Sequence, residues 1–335
     1  MGSNSKLLDN NKGKMAIQKI GVLTPGGDAP GMNAAIRAVV RFGVRHKLEV
    51  MGIFRGWWGL MNEELKVLDH RSVSGIINQG GTVLKTTRCT EFSTPEGEER
   101  AYATIKKHAI DGLIVIGGNG TFSVAHKFYQ TYKVPCIGIP ASIDNDINGI
   151  DVTIGSDTAV NTALAAIDNI RDTATSMERI FVVEVMGRDC GYIALEVALA
   201  SGCEDVIIPE RKFDLQEMCH DIVNGNIRGK VSWIVVVAEG AGHAEDIARK
   251  ITENTSLETR AVVLGHIQRG GRPTAFSRIL AVHLGEAAVE ALLNGEKDKA
   301  VAMANGRVFT VDFETAIQKK KLDVDKVYRL IKTLT

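Results

Sequence analysis

The chain has 335 residues, 44% hydrophobic and 24% charged, the composition of a folded globular protein with room for one large domain or two ordinary ones. Its 40 basic and 40 acidic residues cancel, which argues against a nucleic-acid surface or an anionic-membrane surface and makes any anion binding local. No apolar run approaches the roughly 18 residues of a membrane span, and the five cysteines, odd in number and without a CxxC pair, point to a reduced, cytoplasmic protein without structural zinc.

Residues 1–16 are polar, lack the apolar stretch of a signal peptide and read as a flexible tail. A β-type run, Ile20 to Thr24, then leads through a Gly/Pro loop into a helical stretch, Met32 to His46. Further β-type runs begin at Glu49, Leu113, Pro135, Arg179, Trp233 and Arg260. Most are continuously apolar, as strands buried on both faces should be. The segments between them, such as His243 to Thr255, repeat apolar residues at helical spacing. This alternation predicts an α/β fold with mainly parallel sheets. Ligands in such sheets bind beyond the carboxyl ends of the strands, where strand order reverses.

Three unusual loops fall at such strand ends. TPGGDAPG (Thr24 to Gly31) follows the first run and GGNGT (Gly117 to Thr121) follows LIVI; both bare the backbone ahead of a helix, where free N–H groups and the helix dipole attract an anion. Either could equally be an unliganded strand-to-helix turn. ASIDND (Ala141 to Asp146) follows PCIGIP and carries Asp144 and Asp146 two residues apart. In an extended backbone both carboxylates would face one site. One could take a proton from a hydroxyl while the other helps hold Mg²⁺. The alternative is an Asx-rich turn that satisfies its own backbone. Beyond these loops lie Arg179, Met186, Gly187, Arg188, Glu239, Arg260, His266 and Arg269. Arginine forks suit a phosphate dianion, although each arginine alone reads as a solvated surface charge.

Taken together, TPGGDAPGMNAAIR, GGNGT, PASIDND, SMERIFVVEVMGR, AEGAG and LGHIQRGGRP resemble the signature segments of the phosphofructokinase family, in its order, from about Ile17 to the C-terminus. The resemblance implies two three-layer α/β domains with mainly parallel sheets and the active site in the cleft between them. The expected division is a larger nucleotide-binding domain, 17–155 plus 268–318, and a smaller sugar-phosphate-binding domain, 156–267 plus 319–335. It implies transfer of the γ-phosphoryl of ATP to the 1-hydroxyl of fructose 6-phosphate, with Mg²⁺. Asp144 then matches the general base, Asp146 a metal carboxylate and Ser142 a hydroxyl near the transferred group. Gly27, Arg88, Asn119, Gly120 and Thr121 match the nucleotide side. Met186, Gly187, Arg188, Glu239, His266 and Arg269 match the sugar-phosphate pocket. Arg179 and Arg260 match arginines that reach the 6-phosphate from a neighbouring subunit, which implies a homotetramer. Arg37, Arg41, Arg171, Glu204, Arg228 and Lys230 match a site for a nucleotide or phosphorylated effector. His70 stands where that pattern has an arginine, and Lys85 where it has a glycine.

Asn119 departs from the family's usual GGDG and leaves the metal site one carboxylate short. One charge about 4 Å from the ion, at an effective dielectric of 20, is worth roughly 4 kcal/mol per unit ionic charge at most. Per unit of ionic charge that corresponds to a rate loss of about a thousandfold. Asp146 remains, and an amide oxygen still bonds a metal-bound water, so the expectation is a working enzyme with a raised demand for Mg²⁺. Pyrophosphate-using relatives carry a lysine before the TIDND segment and a bulkier residue at the Gly120 position; Ala141 and Gly120 therefore favour ATP. A catalytically weak, ligand-binding regulatory subunit is the other alternative, resting on Asn119 alone.

Overall fold

The structure, a computed structural model, describes residues 17–334, so the tail expected over residues 1–16 lies outside the described residues. Twelve strands form in chain order: β1 (Lys19–Leu23), β2 (Glu49–Ile53), β3 (Leu65–Leu68), β4 (Gly112–Gly117), β5 (Cys136–Ser142), β6 (Ile154–Gly155), β7 (Ile180–Val185), β8 (Asp205–Ile207), β9 (Trp233–Ala238), β10 (Thr259–Val263), β11 (Lys299–Ala304) and β12 (Arg307–Asp312). Every β-type run in the sequence became one of these. Of the unforeseen strands, β3, β6 and β8 are short and β12 lies at an edge, whereas β11 is an interior strand buried only over its middle residues.

The strands make two sheets. The first runs β12-β11-β5-β4-β1-β2-β3, with β6 on β5; the second runs β10-β7-β9-β8. The second sheet is parallel throughout, and the first is parallel except for its two outer pairs, β2–β3 and β11–β12. β4, β7 and β9 are buried at every position. Alternate residues feed opposite faces: Ile114 and Val183 join an apolar core continuous across both sheets, while Leu113 and Val182 enter separate cores on the far faces.

Strand order reverses between β1 and β4 in the first sheet and between β7 and β9 in the second. At such a point the two connections leave in opposite directions and open a crevice at the carboxyl ends. The glycine loops follow β1 and β4; Met186–Arg188 follows β7 and Glu239 follows β9.

One face of the first sheet depends on a close helix crossing. Helix Met32–Arg45 packs on helix Ala275–Leu293, and a Cβ built at Gly285 would stand 2.5 Å from the Ala38 Cβ and 3.2 Å from the Ala35 carbonyl oxygen. Only a hydrogen fits there. Gly285→Val forces the helices apart, and overpacking of this kind destabilises by about 1–3 kcal/mol. The expected result is a lower thermal midpoint and a lower denaturant midpoint; an unchanged midpoint in both would show that the crossing yields freely.

Candidate active site

A cleft of about 1000 Å³ lies at the carboxyl ends of both sheets. One wall comes from the loops after β1 and β4: Gly27, Asn119, Gly120 and Thr121 all line it. Gly118 caps helix Asn119–Tyr132 in an extended conformation, and the first turn of that helix contains no acidic residue. Its free N–H groups therefore point a positive helix end at the cleft. Thr121 Oγ1 donates to the Pro25 carbonyl at 2.8 Å, which ties the two glycine loops together. No atom lies within 4 Å of a Cβ built on Gly120, so space stands open above the helix start.

Arg88 reaches the cleft on the segment Thr86–Thr90. Buried Asn33 positions that segment: its Nδ2 donates to the Gln79 and Gly80 carbonyls, and its Oδ1 accepts from Val83 N at 2.7 Å. Thr86 Oγ1 donates to the Gly26 carbonyl at 2.6 Å. Lys85, just ahead, has φ +60, a left-handed conformation that glycine adopts more readily. Its side chain lines a separate pocket with Arg55, Glu63 and Glu64. His70 is exposed on the loop after β3.

The opposite wall carries Met186, Arg188, His266 and Arg269. Glu239 does not line the cleft; its Oε1 accepts from Gly187 N at 3.2 Å and Arg188 N at 2.9 Å, so it braces the loop after β7. Arg269 crosses between the walls. Its Nη1 sits 2.8 Å from a Cβ built on Gly27, and it donates to the Asp28 carbonyl at 3.4 Å. Any side chain at residue 27 would displace this guanidinium.

Ser142, Asp144 and Asp146 lie between these walls. The backbone here is not extended, contrary to the expectation from the sequence. Asn145 takes φ +50, and this left-handed residue, rather than a strand alternation, brings both carboxylates to the cleft. The Asx-turn reading also holds: Asn145 Nδ2 donates to the Asp151 carbonyl at 2.9 Å, and its Oδ1 accepts from Thr153 N at 3.0 Å. The asparagine closes the turn while its neighbours face the cleft.

Asp144 is 4% exposed, and its Oδ1 has no hydrogen-bond partner. Its Oδ2 lies 3.6 Å from Arg188 Nε. Burial, reinforced by the Asp146 charge, raises its pKa to about 6 against the pull of Arg188 and Arg269. Asp146 is held from two sides: Asn119 Nδ2 donates to its Oδ2 at 3.1 Å and to its backbone carbonyl at 3.0 Å, and Ser142 Oγ donates to its Oδ1 at 3.3 Å. The Asn119 Oδ1 is buried without a partner.

These oxygens suit a hard divalent cation. The Asp146 carboxylate and the orphaned Asn119 Oδ1 are the donor types that Mg²⁺ takes, one or two at a time, with water and phosphate oxygens completing the shell. No cluster of three or more His, Cys, Asp or Glu residues able to hold a metal occurs among the described residues, so the protein alone offers only a partial shell.

The remaining site residues lie elsewhere. Arg179 precedes β7 and Arg260 lies in β10, at the strand ends opposite the loop after β7; both pair with Glu258, Arg179 Nε at 2.9 Å. Of the effector set, Lys230 Nζ pairs with Glu204 Oε1 at 3.1 Å and lies over the Trp233 ring, while Arg171 Nη2 donates to the Ser201 carbonyl at 2.8 Å. Arg228 caps the helix ahead of Lys230. Arg37 and Arg41 form a separate pair on helix Met32–Arg45, where burial and then the Arg41 charge lower the Arg37 pKa. The cleft also includes Trp57, Cys89, Ser93 and Val124. No motif marked these residues; each arrives through the packing of a loop or helix without sequence signal of its own.

The family model described as phosphofructokinase matches residues 19–292. An ATP-dependent 6-phosphofructokinase of Thermotoga petrophila is 49% identical over 314 residues, covering 94% of this chain and 98% of its own. Another from Bacillus pumilus is 50% identical over 319 residues, covering 95% of this chain and 100% of its own. Among solved structures, phosphofructokinase from Saccharomyces cerevisiae matches with a TM-score of 0.86 at 32% identity, covering 90% of this chain and 45% of the yeast chain, so this chain spans about half that length.

The Asn119 amide makes a direct hydrogen bond where a carboxylate would face Asp146 across a gap. Asn119→Asp removes that donor and sets two half-buried acids together, a loss of about 1–3 kcal/mol. The expected result is a lower thermal midpoint in chelator, recovered by added Mg²⁺, whereas the parent midpoint responds to Mg²⁺ far less. Equal Mg²⁺ responses in the two proteins would refute this account of Asn119.

Proposed function

The chain belongs to the phosphofructokinase family, and we propose that it works as an ATP-dependent 6-phosphofructokinase, moving the γ-phosphoryl group of ATP onto the 1-hydroxyl of fructose 6-phosphate. This places it in glycolysis. One observation carries the assignment of roles: a buried carboxylate with a free oxygen, Asp144, stands where two glycine loops and the Arg188–Arg269 pair converge on one cleft.

Asp144 is the general base. Its raised pKa keeps it a better proton acceptor than an ordinary aspartate while leaving it ionised at neutral pH. Ser142 and the start of helix Asn119–Tyr132 hold the transferred group, and Arg88 neutralises charge on the nucleotide phosphates. Arg188 pairs with Asp144 and orients it; Met186, His266 and Arg269 receive the sugar phosphate, with Glu239 bracing the loop after β7. Mg²⁺, held by Asp146 with help from the Asn119 oxygen, supplies charge neutralisation at the phosphates. Positioning and charge do most of the work in phosphoryl transfer. The open space above Gly120, and Ala141 in place of a lysine, support ATP over pyrophosphate as donor.

The division into a larger nucleotide-binding unit (17–155 plus 268–318) and a smaller sugar-phosphate unit (156–267 plus 319–335) is supported by sheet membership: β1–β6 with β11 and β12 in one sheet, β7–β10 in the other. Arg179 and Arg260, which share Glu258 away from the cleft, are the residues we assign to a neighbouring subunit's 6-phosphate. That assignment requires at least two subunits, and the family resemblance extends the reading to a homotetramer. We assign the Glu204–Lys230 pair, with Arg171 and Arg228, to one half of an effector site and Arg37 with Arg41 to the half met by a neighbour; the Glu204–Lys230 ion pair supports that reading. The effector chemistry is a nucleotide or another phosphorylated anion. No helix among the described residues is long and apolar enough to cross a membrane, and a cytoplasmic location fits the five free thiols.

ADP release with fructose 6-phosphate and ATP, across a Mg²⁺ titration and with pyrophosphate as competing donor, tests the assignment. ATP-dependent turnover supports it, pyrophosphate-only turnover replaces the donor, and sugar-phosphate binding without turnover makes the chain a regulatory subunit. The acid limb of kcat is expected near pH 6, where Asp144 gains its proton. Asp144→Asn should lower kcat by about 10²–10⁴ and yet stabilise the fold. Because the folded pKa lies above the unfolded value, the burial penalty is complete above about pH 6 and vanishes below the unfolded value. The gain in unfolding free energy should therefore reach at most roughly 3 kcal/mol at pH 8 and shrink toward pH 4. A variant no more stable than the parent at pH 8 would contradict the raised pKa.

A further inference from the structure

The catalytic turn is closed from outside by a segment that lies beyond the family-model match. Between short helix Phe313–Ala316 and C-terminal helix Val324–Leu334, residues 315–320 run along the turn that carries Asp144 and Asp146. Asn148 Nδ2 donates to the Thr315 carbonyl at 3.1 Å, Asn148 N donates to the Ala316 carbonyl at 3.3 Å, and Ile147 bridges Lys319 in antiparallel fashion. Lys320 then reaches in. Its Nζ donates to the Ile150 carbonyl at 2.7 Å, the Asn145 carbonyl at 3.0 Å and the Asp151 carbonyl at 3.5 Å. An ammonium has three protons, and this one directs them at three carbonyls of one turn.

The Asn145 carbonyl is the important acceptor. It belongs to the peptide unit joining Asn145 to Asp146, and that unit is rigid and planar. Asn145 itself is left-handed, a conformation a non-glycine residue keeps only when its surroundings enforce it. Its side chain secures the far side of the turn through Asp151 and Thr153; Lys320 secures the near side through the carbonyl. With that carbonyl fixed, the peptide plane leading into Asp146 is fixed, and Asp144 follows on the other side of Asn145, whose left-handed backbone and side-chain bonds hold that half of the turn. The strap is anchored at both ends. Phe313 is fully buried in the first sheet's core, while the C-terminal helix is pinned to the second by Lys332 on Asp205 and by Arg211, which pairs with Asp325 at 3.0 Å and lies over the Tyr328 ring.

We propose that Lys320 is a positioning residue for phosphoryl transfer, its ammonium clamping the turn of residues 145–151 so that Asp144 and Asp146 are held at the cleft. The proposal rests on the roles given above to those two carboxylates. Misplacement of a reacting group by about 1 Å lowers rate by about 10²-fold without necessarily weakening substrate binding. The test compares Lys320→Met, Lys320→Arg and the exposed-neighbour control Lys321→Met in the full chain. For Lys320→Met, kcat should fall about 10–100-fold while the KM values for ATP and fructose 6-phosphate stay within about threefold. Lys320→Arg should recover most of that loss, and Lys321→Met should match the parent. Amide hydrogen exchange over residues 143–153 should accelerate in Lys320→Met alone. Exchange reads the clamp whether or not the chain turns over, so failure of the enzymatic assignment and failure of the clamp are separable. Parental exchange in Lys320→Met, or parental kcat, overturns the proposal. If Lys320→Met does not fold, Asn148→Ser loosens the same strap at its other contact; it should show the same pattern at smaller size, and parental exchange there counts against the proposal equally.

Discussion

Two carboxylates two residues apart must face one cleft, one of them buried, without driving each other out. Much of the site is arranged around that electrostatic constraint. Burial and the Asp146 charge both favour protonation of Asp144, and the cations of Arg188 and Arg269 pull the other way. The balance leaves a base that is ionised at neutral pH yet hungry for a proton. Asp146 meets the constraint differently, through hydrogen bonds from Ser142 and Asn119 that satisfy its oxygens without an opposing charge. A turn made of ordinary right-handed residues would not place both groups, and the left-handed Asn145 stands at the centre of the arrangement for that reason.

The two sheets divide the remaining requirements. Each reverses its strand order once near the middle, and each reversal opens toward the same cleft. The first supplies backbone: bare glycine loops and a helix start, which tolerate the close approach of a phosphate chain. The second supplies side chains: Met186 and Arg188 line the cleft, and Glu239 braces the backbone beneath them. Arg269 crosses from one set to the other, so the gap left by the missing Cβ of Gly27 also holds a contact between the walls. Asn119 belongs to the first set but acts on the turn. Its amide donates to the Asp146 carboxylate and to the Asp146 carbonyl, so the turn is tied to the helix start by neutral hydrogen bonds.

Much of this was legible in the sequence because the buried parallel strands are continuous apolar runs and the loops carry uncommon residue types. The strands that escaped notice fail that criterion: β6 and β8 are too short to form a run, and β3 and β12 lie at edges where water covers one side. Asp144 and Asp146 were found for a partly mistaken reason. Their common direction comes from a left-handed residue, which residue spacing alone does not encode. For SIDND the catalytic and structural readings competed on paper, yet the fold leaves room for both, because Asn145 closes the turn while Asp144 and Asp146 line the cleft. Glu239 was placed in the pocket by resemblance, whereas here it braces backbone N–H groups. Lys320 was invisible because its partners are carbonyl oxygens, which every residue possesses.

The route of the strap has a consequence for how the protein is made. β11 pairs with β5, near the middle of the first sheet, and residues 315–320 close the turn that follows β5. Both lie close to the end of the chain. A ribosome releases the segments carrying Asp144 and Asp146 long before it releases the partners that hold them. While synthesis continues, the nascent chain has all the residues of the chemistry but not the geometry, and one edge of β5 waits unpaired. A chain released only as far as β5 therefore carries Asp144 and Asp146 without the later contacts that orient their turn.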